Sequence, residues 1–249
     1  MPQQGFQYEV NVYEALKPLG FVPSNFRPAG AAHDRPDLML LYKNQTAGCE
    51  LKITDASAGS LVIKYDTTKG LPYWRFGKIK PEETEKLFIA EVARNSGVFS
   101  RITKEWTEVP YRREGLDDLW KATAGKMTAR ERYQRDLKIF RDISGEIPAT
   151  DIEMYYNEKK TYYVNIGTHG FYLMGPKNPF GVAGIPRFGQ SAKAKWRARV
   201  QYKGSDAYQF TFEMQFSMKI KSPYNISPCT KQSVTILKDK IDLSFFNSD

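Results

Sequence analysis

The chain has 249 residues, 41% of them apolar, with a formal charge of +9 and a pI near 9.3. That length admits one large domain or two small ones with enough residues for a core, and no uninterrupted apolar run approaches a membrane span, so a soluble protein with no membrane partner is expected. The excess of cationic side chains makes a polyanion such as nucleic acid the natural partner. Two cysteines, Cys49 and Cys229, give neither a disulfide framework nor a zinc spacing. The first residues do not place a charged region before an apolar segment, as a signal peptide does. Both observations favour a reducing, cytoplasmic setting.

Residues 5–19 read as a helix with Phe6, Val10, Tyr13, Leu16 and Leu19 on one apolar face; Pro18 makes its last turn irregular and Gly20 ends it. A strand hairpin follows a proline- and glycine-containing stretch. It runs from His33-Asp34-Arg35-Pro36-Asp37 through an apolar run to Tyr42, and returns through Cys49-Glu50-Leu51-Lys52-Ile53. Strand side chains alternate faces, so Glu50 and Lys52 share one face and Cys49, Leu51 and Ile53 the other. A two-residue turn at Asn44-Gln45 sets Asp37 opposite Lys52 and Met39 opposite Glu50. Asp37 then shares a face with Glu50 as its diagonal neighbour, whereas a slip of one residue turns it away.

Residues 59–66 form an expected third strand, and Pro81-Glu82-Glu83 opens a helix carrying Leu87, Phe88 and Val92 that stops before Gly97. A helical block is expected over 115–143, broken near Gly125, with Thr128-Ala129-Arg130-Glu131 as a capping box. From Thr150 onward the pattern becomes β. Strands over 161–166 and 171–174 flank Gly167-Thr168-His169-Gly170. The glycine- and proline-rich residues 176–190 form a loop able to approach a ligand. The clearest alternation comes next: Lys193, Lys195, Arg197, Arg199 and Lys203 share one parity with Gln201, and Ala194, Trp196, Ala198, Val200 and Tyr202 the other. The return strand alternates Tyr208, Phe210, Phe212, Met214, Phe216 and Met218 with polar residues. Joined by a three-residue loop, the pair has one core face and one basic face, with Arg197 across from Glu213.

Two carboxylates and a lysine on one strand face suit metal-assisted cleavage of a phosphodiester. The ion offsets phosphate charge and supplies hydroxide near neutral pH, and magnesium accepts a small protein share of carboxylate and carbonyl oxygens. Pro36-Asp37, twelve residues, then Glu50-Leu51-Lys52 resembles the signature of the PD-(D/E)XK nuclease superfamily. The resemblance implies an α/β fold, a restriction-endonuclease-like mixed sheet flanked by helices, here with a β-rich C-terminal part. It implies that Asp37 and Glu50 bind Mg²⁺, with Mn²⁺ substituting, that the Leu51 backbone carbonyl is a further ligand, and that Lys52 assists the nucleophile. Glu9 looks like the first-helix glutamate that family members place near the metal; an ordinary exposed helix glutamate is the alternative. His33 fits a hydrogen-bonding or phosphate-contacting neighbour better than a ligand. Lys64, one strand beyond the motif, reads as a phosphate contact or a solvated lysine.

The expectation is a single nuclease domain over 1–249, divided into a catalytic core (1–100), a helical segment (101–149) and a β-rich part (150–249) whose basic face holds the nucleic acid. The reaction is Mg²⁺-dependent endonucleolytic hydrolysis, with double-stranded DNA favoured as substrate and a restriction or phage type of enzyme. An RNA-directed endonuclease of the same fold and a non-catalytic nucleic-acid-binding protein are the alternatives. Cutting both strands calls for two active sites or two events, which leaves a homodimer open.

Overall fold

The first helix ends where its sequence breaks. Helix α1 (Pro2–Leu16) tightens into a 3₁₀ turn over Lys17–Leu19, and Gly20 takes a left-handed φ of 77° while its N–H returns to the Lys17 carbonyl. Its buried face carries Tyr8, Val12, Tyr13, Ala15 and Leu16, and Phe6 is 48% exposed. The expected stripe through Phe6 and Val10 is therefore rotated, because Tyr8 and Ala15 serve as core residues at the same three- and four-residue spacing.

A computed structural model describes residues 2–28, 35–54, 57–67, 73–111, 127–204 and 207–226. His33 and Asp34 lie outside the described residues, as does the expected break near Gly125. The chain divides into two compact units, one made of 1–56, 148–194 and 216–249, the other of 57–147 and 195–215. These units cut across the expected segments of 1–100, 101–149 and 150–249. The fold is mixed α/β, with two sheets. Among the described residues no helix is long and apolar enough to cross a membrane.

In the first unit, β1 (Leu38–Tyr42) and β2 (Gln45–Lys52) form the expected antiparallel pair. The turn lies at Lys43-Asn44, both at positive φ (45° and 64°), one position earlier than expected. Positive φ at both central residues matches the twist of the strands. Moving a turn by one residue moves the pairing by two, so the register changes to Leu38 opposite Cys49 and Met39 opposite Gly48, and every side chain keeps its face.

Helix α5 (Ala149–Glu158) then leads into β6 (Thr161–Ile166), which runs parallel to β2, and β7 (Gly170–Leu173) returns antiparallel, giving the order β1-β2-β6-β7. The β expectation for the stretch beginning at Thr150 is corrected here: ten residues of helix precede the strands. Pro148 stands immediately before them, and Ile152, Tyr155 and Tyr156 recur at helical spacing to form the buried side. Gly48 lies where the strands converge: a Cβ there would meet the Lys160 carbonyl oxygen at 2.6 Å and Pro36 at 3.0 Å. The core of this unit joins α1 to the sheet through Val12, Leu16, Leu38, Leu40, Cys49, Leu51, Tyr163 and Phe171. Buried Asn165 ties the layers by donating to the Tyr8 hydroxyl at 3.2 Å and accepting from the Ile226 N–H at 3.2 Å.

The second unit holds most of the other sheet, in the order β4-β3-β9-β8-β5. Its strands are β3 (Ser57–Asp66), β4 (Tyr73–Phe76), β5 (Ile143–Ile147), β8 (Ala192–Gly204) and β9 (Ala207–Met218). The unit boundary falls within β8 and within β9. Helices α2 (Thr84–Asn95), α3 (Val98–Glu105) and α4 (Ala129–Ile139) belong to this unit. The capping box at Thr128 and Glu131 is present. The helix stops at Ile139 and not at 143, because Ile143 begins β5, where Gly145 leaves room for the indole of Trp196: a Cβ would meet Nε1 at 2.5 Å. Trp74, Trp106, Phe140 and Phe210 pack edge to face or tilted with ring centroids 5.0 to 6.1 Å apart.

Candidate functional site

One residue beyond the β1–β2 ladder, the same register sets Asp37 across from Glu50. Asp37 Oδ2 accepts a hydrogen bond from the Leu51 N–H at 3.0 Å. In an extended residue the N–H and C=O leave by the same edge, so the Leu51 carbonyl also projects toward the Asp37 side of β2. Two residues along that strand, the Lys52 ammonium lies 2.5 Å from Glu50 Oε1 and 4.0 Å from Asp37 Oδ2. Asp37, Glu50 and Lys52 thus meet on one face, and Cys49 points the other way into the core. Burial and the two carboxylates push the Cys49 thiol up, which keeps it protonated.

Two further side chains enter from α5 and its end. Tyr156 donates to Glu50 Oε1 at 3.4 Å, and Lys159 Nζ is 3.6 Å from Glu50 Oε2. Sequence reasoning missed both because it assigned this stretch to β structure. The signal was legible as the helical recurrence of Ile152, Tyr155, Tyr156 and Lys159 after Pro148. Their position follows from β6 pairing with β2, which sets the end of α5 at the start of that ladder.

The two carboxyls are driven apart. Burial, reinforced by the charge of Glu50, raises Asp37 to about 6, while Lys52, the Leu51 N–H and Lys159 hold it back. Burial also acts to raise Glu50, but Lys52 and Lys159 outweigh it, and Glu50 is lowered below the ordinary glutamate value. Burial acts to lower Lys52, and Glu50 and Asp37 reverse that, so Lys52 is raised and stays an ammonium. Burial and the adjacent Glu50 raise Tyr156, which remains a phenol able to donate.

The donor set fits a hard cation in part. Glu50 is 3% exposed and its Oε2 accepts no hydrogen bond among the described residues; with Asp37 and the Leu51 carbonyl it makes the oxygen share that magnesium accepts. Glu9 does not complete the set. It lies half-buried on α1 beside Tyr8, and among the described residues no three His, Cys, Asp or Glu side chains come together as a metal-binding group.

The cationic residues expected on nucleic acid divide into different environments. Lys193 and Lys195 are exposed on β8. Arg197 and Arg199 are engaged by Glu213, which is 4% exposed and accepts from Arg197 Nη2 at 3.2 Å and from Arg199 Nη2 at 2.8 Å. Arg197 also lies 3.5 Å from Asp142. Arg197 thus meets the residue the sequence set across from it, and Arg199 meets the same carboxylate. The basic face is not uniform, since Thr211 and Glu213 on that parity are themselves buried. The side chain of Lys203 lies outside the described residues. Lys64 is on β3 across from Arg75 of β4, in the second unit, half-buried.

No protein-family model, curated protein or solved structure matches the chain.

Proposed function

We propose that the chain is a metal-dependent nuclease of the PD-(D/E)XK kind, an endonuclease hydrolysing phosphodiester bonds with double-stranded DNA as the favoured substrate. The observation that carries this reading is the convergence of Asp37, Glu50 and Lys52 on one strand face, held by the Leu51 N–H and the 2.5 Å Lys52–Glu50 contact. Within the first unit a leading helix, an antiparallel pair carrying the motif, and a helix into a strand parallel to β2 support a restriction-endonuclease-like core, with residues 57–147 inserted between that pair and that helix.

Asp37, Glu50 and the Leu51 carbonyl are the groups that would hold Mg²⁺ or Mn²⁺, whose chemistry is to offset phosphate charge and supply hydroxide near neutral pH. Lys52, kept protonated by its carboxylate neighbours, acts as a hydrogen-bond donor that orients the attacking water and meets developing negative charge; it is not the base. Tyr156 holds the Glu50 carboxylate from the helix side. Lys193 and Lys195, exposed at alternate positions of one strand, suit contacts to successive phosphates, which add affinity without sequence information.

The test is nicking of supercoiled plasmid in Mg²⁺ by wild type, Asp37→Ala and Lys52→Ala, with RNA digested in parallel. Cleavage by wild type alone is expected. Cleavage that survives both substitutions overturns the site assignment, preference for RNA replaces the DNA reading, and binding without cleavage in either Mg²⁺ or Mn²⁺ marks a non-catalytic nucleic-acid-binding protein.

A further inference from the structure

Glu50 stands between two ammonium groups that reach it from different elements. Lys52 holds Oε1 from within β2, and Lys159, just past the end of α5, lies 3.6 Å from Oε2. Lys159 has no role in the chemistry described above, yet its side chain is the less exposed of the two, 8% against 21%. An ammonium taken to such a depth calls for an anion beside it. The rings of Tyr155 and Tyr156, four and three residues earlier on the helix, lie 5.7 and 5.6 Å from its nitrogen and give the ammonium a second support.

The charges of this cluster balance before any ion arrives: Asp37 and Glu50 face Lys52 and Lys159. A divalent cation adds two positive charges to a buried site already near neutrality, and the oxygen it needs, Glu50 Oε2, is the one that Lys159 faces. An ammonium displaced from that oxygen, still held over two aromatic rings, calls for a new anion. In a site that cleaves phosphodiesters, the scissile phosphate brings one.

Resting on the nuclease reading, we infer that Lys159 is the internal counter-ion of Glu50, displaced by the divalent cation and passed to the substrate phosphate, so that metal and phosphate bind cooperatively. Lys159 is then a positioning residue for the metal and a phosphate ligand in the loaded site. Because coupling between two ligands is reciprocal, metal tightens phosphate as much as phosphate tightens metal.

The experiment measures Mn²⁺ binding to the full chain by calorimetry and by the Mn²⁺ electron paramagnetic resonance signal, with and without inorganic phosphate, at free Mn²⁺ corrected for its phosphate complex. Phosphate should tighten Mn²⁺ on wild type by about tenfold, the equivalent of about 1.4 kcal/mol. Lys159→Met should bind Mn²⁺ more tightly than wild type without phosphate and lose most of the phosphate dependence, and Lys159→Arg should behave as wild type. A merely structural role predicts the opposite sign, a weaker metal site. Unchanged or weaker Mn²⁺ affinity in a folded Lys159→Met overturns the inference. Should that variant not fold, Lys159→Gln and the wild-type phosphate dependence decide, and no dependence overturns it. Plasmid nicking by a wild type whose metal affinity ignores phosphate and Lys159 sinks this inference alone. A wild type that binds no Mn²⁺ sinks the nuclease reading with it.

Discussion

Asp37 accepts a hydrogen bond from the Leu51 N–H at 3.0 Å, so a side chain closes the end of the β1–β2 ladder where a main-chain carbonyl would otherwise serve. The carboxyl is buried beside Glu50, and its pKa is raised from 3.8 to about 6. A raised folded-state pKa means that the fold favours the protonated form. The associated stability is fully present below about pH 3.8 and is lost as pH rises through about 6. With chelator present, Asp37→Asn should gain on wild type between about pH 4 and about pH 7, by on the order of 2 kcal/mol in urea denaturation. A difference that stays flat across that window would show that Asp37 titrates as an ordinary exposed carboxyl.

Removing one partner of a buried ion pair strands the other. Lys52→Met should lower stability by about 2 kcal/mol, less than the usual cost of an orphaned buried charge because Lys159 still faces Glu50. The double variant Lys52→Met with Glu50→Gln should recover about 1 kcal/mol or more of that loss. Additive losses in the double-mutant cycle would refute a direct coupling.

Gly48 is a backbone contact site, where the nearest atom to an added Cβ is a carbonyl oxygen of the main chain. Gly48→Ala should therefore destabilise by about 2 kcal/mol, visible as a lowered melting temperature with unchanged secondary structure. Gly5→Ala is the control, since nothing lies within 4 Å of an added Cβ there. Equal effects at both positions would mean that β2 and the start of β6 approach less closely than described.

The cations of β8 separate by environment, Lys195 exposed and Arg199 paired with Glu213. Lys195→Glu should weaken DNA binding, reduce the slope of its salt dependence by about 1, and leave the melting temperature unchanged. Arg199→Ala should instead lower the melting temperature by exposing buried Glu213 to an incomplete set of partners. A salt slope untouched by the lysine substitution removes this strand from the interface.

Strand parity carried much of this site in the sequence. Alternation put Asp37, Glu50 and Lys52 on one face, and the turn error at Asn44-Gln45 cost nothing because a displacement of two preserves parity. The residues that parity does not reach were lost. Tyr156 and Lys159 come from about a hundred residues further along, and only the pairing of β2 with β6 brings them to Glu50. A sequence pattern records which face a residue takes, not which distant element lies against it. The same blindness applies at Arg197 and Arg199. Their spacing reads as a basic face, and its neutralisation by Glu213 depends on which residues of that face are buried.

The insertion of the second unit between β2 and α5 has a consequence for how the protein is made. The carboxylates leave the ribosome early, but the strand that pairs with β2 and the helix that supplies Lys159 follow only after residues 57–147. Until then the far edge of β2 presents an open row of backbone donors and acceptors, a template for misplaced strands. Non-local pairing of this kind slows folding, because a long loop must close before any contact rewards it. A nascent chain that carries Asp37, Glu50 and Lys52 therefore holds the acidic pair and its first lysine well before it holds a finished site.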